Sequence, residues 1–315
     1  MPYISIIMTV QNGEKYLNES ILSLLEQSFS DTELVVVDNG STDCTSKILE
    51  NINDKRLKII SVEPSPQNTF ASGIAKAFGA AIGEYVAVQD SDDISEKTRI
   101  EKQLQYLEAH PDVALVGSKF TVIDHSGKYL FTSTDLPESN ELKQKYAEGN
   151  FLAHSSIMFR RKIISKIGGY NQNFEYACDY RLALDILNAD HKISAINEPL
   201  IKIRRHADQE TAKTNTGVIR NQNLLSLLQY AQNSTFLNRK SLLRGQRQIT
   251  KAKFQGVLYL LRSGNKLNAL KLFSEATLES PFYLIIYALI RTIRGQLNDA
   301  PQPIDNKIKK EINIK

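Results

Sequence analysis

Over its first ~130 residues the chain alternates short apolar runs with helix-period segments, and this restricts it to an α/β architecture. Ile4–Thr9, Leu34–Asp38, Leu57–Val62, Tyr85–Gln89 and Ala114–Gly117 read as strands. Runs so apolar suit strands covered on both faces, as in a mostly parallel sheet. Between them, Tyr16-Leu17, Ile21-Leu22 and Leu24-Leu25 recur at helical spacing, and Ile48-Leu49 with Ile52 follow the capping-type run Ser41-Thr42-Asp43. Ile100, Leu104 and Leu107 mark a helix that stops before His110-Pro111. A hairpin turning at Asp124-His125-Ser126-Gly127 is expected next. A strand at Ser155–Phe159, a helix ending at Gly168-Gly169 and a helix across Asp179–Leu187 follow, then two short strands before Arg204-Arg205-His206.

Several of these strands end in chemistry. Asp90-Ser91-Asp92-Asp93 follows Tyr85–Gln89 directly. Carboxylates crowded at a strand end repel one another, and a hard divalent cation relieves this. The C-terminal edge of an α/β sheet is also where ligands bind. The plainer reading is a turn capping a helix that starts near Ser95. Asp38-Asn39-Gly40-Ser41-Thr42-Asp43 ends the second strand, where a carboxylate beside an amide can hold a base or ribose, or form a turn and cap. Thr9-Val10-Gln11-Asn12 closes the first strand and opens into the same crevice.

These blocks stand in an order that resembles glycosyltransferase family 2, the inverting sugar transferases with a GT-A fold. The family's strand ending in P/T-x-Y-N is matched by Thr9-Val10-Gln11-Asn12, and V-D-D-G-S-T-D by Val37–Asp43. G-E-Y-I-A-x-x-D-x-D-D is matched by Gly83–Asp93, and H-S-S-x-M-F-R-R by His154–Arg161. G-G-Y is matched by Gly168-Gly169-Tyr170, and E-D-Y-D-L-x-L by Cys178–Leu184. The resemblance covers roughly two thirds of the chain. It implies a Rossmann-like GT-A domain with a mostly parallel sheet flanked by helices, extended at the C-terminus by helices alone.

By position, the resemblance gives Thr9, Asn12, Asp38 and Asn39 to the base and ribose, and Asp90 to the ribose or the metal. Asp92 would ligate a Mg²⁺ or Mn²⁺ ion bridging a diphosphate, His206 would approach that metal or the diphosphate, and Asp179 would be the general base. The implied reaction moves a sugar from a nucleotide-diphosphate donor, a UDP-sugar foremost, to a hydroxyl on a glycan or lipid-linked acceptor in bacterial surface polysaccharide or glycolipid assembly. Four departures bear on donor preference. Asn39 replaces an acid, Gln11 replaces Tyr, and Cys178 replaces the Glu before the catalytic Asp. The segment Asn68–Ile82 lacks the usual Arg, leaving Lys76 as its candidate.

Other classes fit less well. No G-x-G-x-x-G spacing exists among the 15 glycines, against a dinucleotide dehydrogenase. Val10–Glu14 holds one Gly, short of a nucleotidyltransferase phosphate loop, and the five histidines lack an H-x-x-x-H pair. An idle scaffold with the same fold, binding membrane or nucleic acid, is the alternative that the two changed acidic positions leave open. Cys44 and Cys178 form no disulfide framework, and Met1–Val10 reads as a strand without a signal peptide; both suit the cytoplasm.

Charge divides the chain. Residues 1–210 hold 22 Lys/Arg against 30 Asp/Glu, whereas residues 211–315 hold 17 against 5. Thr211–Ser274 contains no acid. A catalytic domain over 1–215, a helical region over 216–300 and a disordered tail over 301–315 are expected. Ala252–Ser280 reads as a helical hairpin, and Phe282–Ile290 is an apolar run of nine residues. That run is short of the ~20 needed to span a bilayer. The basic half suits an anionic membrane surface at the inner face of the cell membrane, while nucleic acid is not an expected partner.

Overall fold

The computed structural model describes residues 2–209, 217–262 and 264–279. Its first half runs β1 (Ile4–Val10), α1 (Leu17–Leu25), β2 (Thr32–Asp38), α2 (Thr45–Glu50), β3 (Leu57–Ser61), α3 (Phe70–Ala80), β4 (Tyr85–Val88) and β5 (Ile94–Ser95). Then come α4 (Arg99–Ala109), β6 (Val113–Ile123), β7 (Tyr129–Thr132), α5 (Ser139–Lys145), a 3₁₀ turn (His154–Ser156), β8 (Met158–Arg160) and α6 (Arg161–Lys166). The rest is α7 (Cys178–Asn188), β9 (Lys192–Arg204), α8 (Gly217–Gln232), α9 (Arg239–Arg262) and α10 (Lys266–Glu279).

A nine-stranded sheet is ordered β3-β2-β1-β4-β8-β6-β9-β5, with β7 pairing with β6. Strands β3, β2, β1 and β4 are parallel, as are β6 and β9. β8 lies antiparallel between β4 and β6. Every residue of β1, β2 and β4 is buried, which is why these strands are largely apolar and show no strict alternation. One face of the sheet (Ile7, Val35, Val37, Val86, Val88) packs on Ala71, Ile74 and Ala77 of α3 and on α7. The other (Ile4, Ile6, Met8, Leu34, Val36, Ala87) packs on α1 and α4. Each of these fully buried aliphatic side chains contributes about 1.5–3 kcal/mol of burial free energy.

Three local expectations need correction. Ser155 and Ser156 belong to the 3₁₀ turn, and β8 starts only at Met158. Ile94–Ser95 pairs with β9 as an edge strand, so the helix starts at Arg99 and not near Ser95. The two short strands before Arg204 are one strand of 13 residues. Its register against β6 breaks between Ser118 and Phe120, opposite the exposed Asn197-Glu198-Pro199 segment.

The C-terminal helices are not a detached unit. Leu227, Leu228 and Ala231 of α8 and Ile249 and Ala252 of α9 belong to the same buried cluster as Leu184 and Leu187 of α7. The Tyr230 hydroxyl donates to Asp185 Oδ1 at 3.0 Å, and the Arg181 guanidinium stacks 4.3 Å from the Tyr230 ring centre. Gly245 lets α9 approach the Ala147 carbonyl, which a β-carbon there would meet at 2.6 Å. The α9–α10 hairpin turns at Gly264 (φ 79°). Phe282–Ile290 and the tail lie outside the described residues.

Candidate active site

Because β1, β2 and β4 are parallel, their C-terminal ends open on one edge, with Val10 level with Asp38 and Ile7 with Val88. The loops beyond β1 and β2 are stitched together. Asn39 N–H donates to the Val10 carbonyl at 2.8 Å, Asn12 N–H to Ser41 Oγ at 2.9 Å, and Thr42 N–H to Asn12 Oδ1 at 2.8 Å. Asn12 takes φ 56°, the left-handed region that Asn tolerates. Both oxygens of the buried Asp38 are occupied, Oδ1 by Ser41 N–H at 3.0 Å and Oδ2 by the Ser46 hydroxyl at 2.6 Å. Thr9 Oγ1 is buried and unpartnered beneath Gly73, where an added β-carbon would stand 2.1 Å from it. Thr9, Asn12 and Asp38 thus stand together where β1 and β2 end.

Asn39 and Lys76, with Gln67, Asn68, Ser72 and Gln172, line a cavity of about 410 Å³. Asn39 Nδ2 donates to the Thr69 carbonyl at 2.9 Å, and the Thr69 and Ser72 side chains form the capping box of α3. That leaves Asn39 Oδ1 as an acceptor with no hydrogen bond to a described residue.

After β4 the acidic loop splits its carboxylates between roles. Asp93 is buried, accepting from the Ser155 hydroxyl and, at 3.0 Å, from Arg204 N–H. Burial and the neighbouring Asp92 and Asp90 push its carboxyl well up. Arg99 lies fully buried below, donating to Gln89, Ser95, Gln103 and the Val88 and Ile157 carbonyls. Burial pulls its pKa down to about 9.

Asp92 Oδ2 meets His206 Nε2 at 2.9 Å and Gln209 Nε2 at 3.3 Å. Ligands adjacent on an octahedral cation with bonds of about 2.1 Å stand about 3 Å apart, so this pair has the spacing to grip one Mg²⁺ or Mn²⁺. Among the described residues no three or more His, Cys, Asp or Glu side chains gather around a metal position. Water and phosphate oxygens would complete the shell, the usual arrangement for Mg²⁺.

Asp179 begins α7. Its Oδ2 accepts from Asn150 Nδ2 at 2.7 Å and its Oδ1 from Tyr180 N–H at 2.8 Å. Burial raises its pKa, and His154 and the Tyr180 N–H oppose that rise. Behind it Cys178 is buried, its thiol pushed well up by burial and by Asp179.

The family model described as Glycosyl transferase family 2 matches residues 5–168, more than half of the chain and all of the strand ends above. The chain belongs to glycosyl transferase family 2. The O-antigen biosynthesis glycosyltransferase WbnJ of Escherichia coli is 34% identical over 209 residues, covering 64% of this chain and 80% of that one. Among solved structures, S. aureus TarS in complex with UDP-GlcNAc superposes with TM-score 0.64 at 19% identity, over 87% of this chain and 81% of that one. The mannosyltransferase PcManGT from Pyrobaculum calidifontis, in complex with GDP-Man and Mn²⁺, gives 0.59 at 17% identity, over 95% and 88%. These likenesses establish the GT-A fold for this glycosyltransferase, with its helical C-terminal region.

Several residues around the family 2 motifs went unread in the sequence. Arg204 anchors the segment leading to His206: its N–H bonds Asp93, its Nε bonds the Asp92 carbonyl at 3.1 Å, and its Nη2 meets Glu19 at 2.6 Å. Its guanidinium lies 4.6 Å from the Tyr16 ring centre, and His206 packs 4.7 Å from the same ring. Asn150 lies outside every motif. Arg99 reads as one more polar helix residue, and nothing in its spacing signals that it is buried.

Proposed function

We propose that this glycosyltransferase is an inverting enzyme that moves a sugar from a UDP-sugar to a hydroxyl acceptor with the aid of a divalent cation. The contact between Asp92 and His206 carries the reading, because it joins a carboxylate and an imidazole in the loops beyond β4 and β9. A Mg²⁺ or Mn²⁺ held there would act as a Lewis acid on the diphosphate oxygens. Asn39 Oδ1 offers the base a single acceptor. That suits the lone ring N–H of uracil better than the paired donors of guanine. Lys76, at the cavity wall, supplies positive charge toward the donor, and Asp90 takes the ribose.

At the base side, Asn150 fixes one Asp179 oxygen, so that Asp179 is oriented to accept the acceptor's hydroxyl proton. As the proton leaves, the acceptor oxygen bonds the anomeric carbon. The bond from that carbon to the diphosphate breaks on the opposite face, inverting the centre. WbnJ acts in O-antigen biosynthesis, and TarS and PcManGT were captured with UDP-GlcNAc and with GDP-Man and Mn²⁺. The role printed for WbnJ supports a bacterial surface glycan as product, and a glycan or lipid-linked acceptor and a site of action at the cytoplasmic face of the membrane belong to the same proposal. A panel of nucleotide sugars with and without Mn²⁺, followed for nucleoside diphosphate release, tests this. Release from no donor in the panel would return the chain to the idle-scaffold reading.

A further inference from the structure

The chain from the end of α5 to Asn150 is held by two other elements before it reaches Asp179. On one side it is pinned to α7, where the Tyr180 hydroxyl donates to the Tyr146 carbonyl at 2.6 Å. On the other it is tied to α9 and the loop before it. Gln144 uses both ends of its amide there: Nε2 donates to the Phe236 carbonyl at 2.7 Å, and Oε1 accepts from Asn238 N–H at 2.9 Å. Farther along, Glu148 Oε1 stands 2.6 Å from Arg244 Nε, and Arg244 Nη2 donates to Ser241 Oγ at 3.1 Å. Gly245 of α9 lies against the Ala147 carbonyl, between these two ties.

Gly149 follows at φ 150°, which side chains rarely allow, although an added β-carbon would meet no heavy atom within 4 Å. The glycine serves the turn and not the space. Beyond it, Leu152 N–H donates to Asn150 Oδ1 at 3.4 Å, which settles the way the amide faces. Its Nδ2 is left to donate to Asp179 Oδ2 at 2.7 Å, the length of a bond to a charged acceptor. An ion pair as exposed as Glu148–Arg244 contributes little to stability by itself. What it fixes is the place of the chain just before the Gly149 turn. We propose that Glu148, anchored on α9 by Arg244, is a positioning residue for the transfer, because it sets the turn that presents the Asn150 amide to Asp179. The C-terminal helices thereby reach the base through two contacts, Arg244 with Glu148 and Asn150 with Asp179. The catalytic meaning of this rests on Asp179 being the base.

The test uses the full chain and begins without substrate. The Asn150 side-chain amide, assigned in ¹⁵N NMR by its loss in Asn150→Ala, reports the contact with Asp179. Arg244→Gln and Glu148→Gln should each move that signal and speed its hydrogen exchange about ten-fold. The exchanged pair, Glu148→Arg with Arg244→Glu, should restore it. A signal that stays put in the single variants, or is not restored in the pair, overturns the proposal while the proposed function stands. Thermal midpoints of the single variants should stay within about 2 °C of wild type, and a larger fall makes the pair a packing contact and overturns its role. With UDP-GlcNAc as the probe donor, each single variant should lose about ten-fold in kcat with KM held within about two-fold, and the exchanged pair should regain most of the loss. A raised KM with kcat kept places the tether on the donor side and overturns the proposal. Turnover that survives Asp179→Asn overturns the base assignment itself, and with it this role.

Discussion

His206 Nε2 lies 2.9 Å from Asp92 Oδ2, although 114 positions separate them in the chain. Arg204 makes the meeting possible by binding both Asp92 and Asp93 through its backbone and side chain. If this pair grips the cation, Asp92→Asn should lower metal-dependent diphosphate release by about 10²-fold or more, with the fold intact. Calorimetric titration with Mn²⁺ in the presence of UDP checks the binding side. Activity that persists with its metal dependence unchanged would remove the acidic loop from the mechanism.

Asp179 makes its side-chain bonds to Asn150 and to its own helix, none to the cavity around Asn39. Asp179→Asn should therefore keep UDP affinity within about two-fold while kcat drops about 10²-fold or more. Collapse of UDP binding, with turnover per bound complex preserved, would move Asp179 to the donor side.

Asn39 stands where an acid is usual in the family. Its Nδ2 donates to the Thr69 carbonyl from a position 4% exposed. Asn39→Asp would turn a carboxylate oxygen toward that carbonyl, costing about 1–2 kcal/mol. Urea denaturation measures the loss, and an unchanged midpoint would mean that the amide does not donate there.

Glu33 predicts a pH dependence of stability. Its carboxylate, 3% exposed, accepts from Ile82 N–H at 2.9 Å, from Lys58 Nζ at 2.5 Å and from Ser5. Burial pushes its pKa up, but Lys58, Ser5 and Ile82 bring it below the ordinary 4.5. A folded-state value below the unfolded one stabilises fully above that ordinary value and fades as pH falls through the folded value. Glu33→Gln should cost about 1–2 kcal/mol at pH 7. The gap to wild type should narrow below pH 4.5. A gap constant down to pH 3 would refute the charge assignment.

Among the described residues no helix is long and apolar enough to cross a membrane. In α10, Leu267 is 80% and Leu270 67% exposed, and Lys266 and Lys271 are exposed beside them. A basic residue at an anionic surface contributes about 1 kcal/mol. The chain should sediment with phosphatidylserine vesicles at low salt, several-fold less after K266E/K271E. Equal sedimentation with neutral vesicles would sink the idea.

The parallel strands were legible because burial on both faces writes itself as an apolar run, as in Val35-Val36-Val37. β9 was not, because Pro199 and its polar neighbours interrupt the run where the register also breaks. Ser155 and Ser156 resemble strand residues by composition; their hydroxyl bonds to Asp93 and the Ala153 carbonyl hold the turn instead. Asp92, Asp179 and His206 are candidates that the motifs name. Asn150 and Arg204, which hold those residues or the chain beside them in position, sit in no motif and come from distant elements.

The core shared by α7, α8 and α9 ties the C-terminal helices to the helix that carries Asp179. Such a joint restricts how a family diversifies. Grafting a foreign helical segment after Arg204 would strip Leu227, Leu228 and Ile249 from the base of α7 and leave Arg181 without the Tyr230 ring. Sequence change in this part of the chain is therefore accommodated most directly at the outward residues of α9 and α10, one at a time, with the inward ones kept.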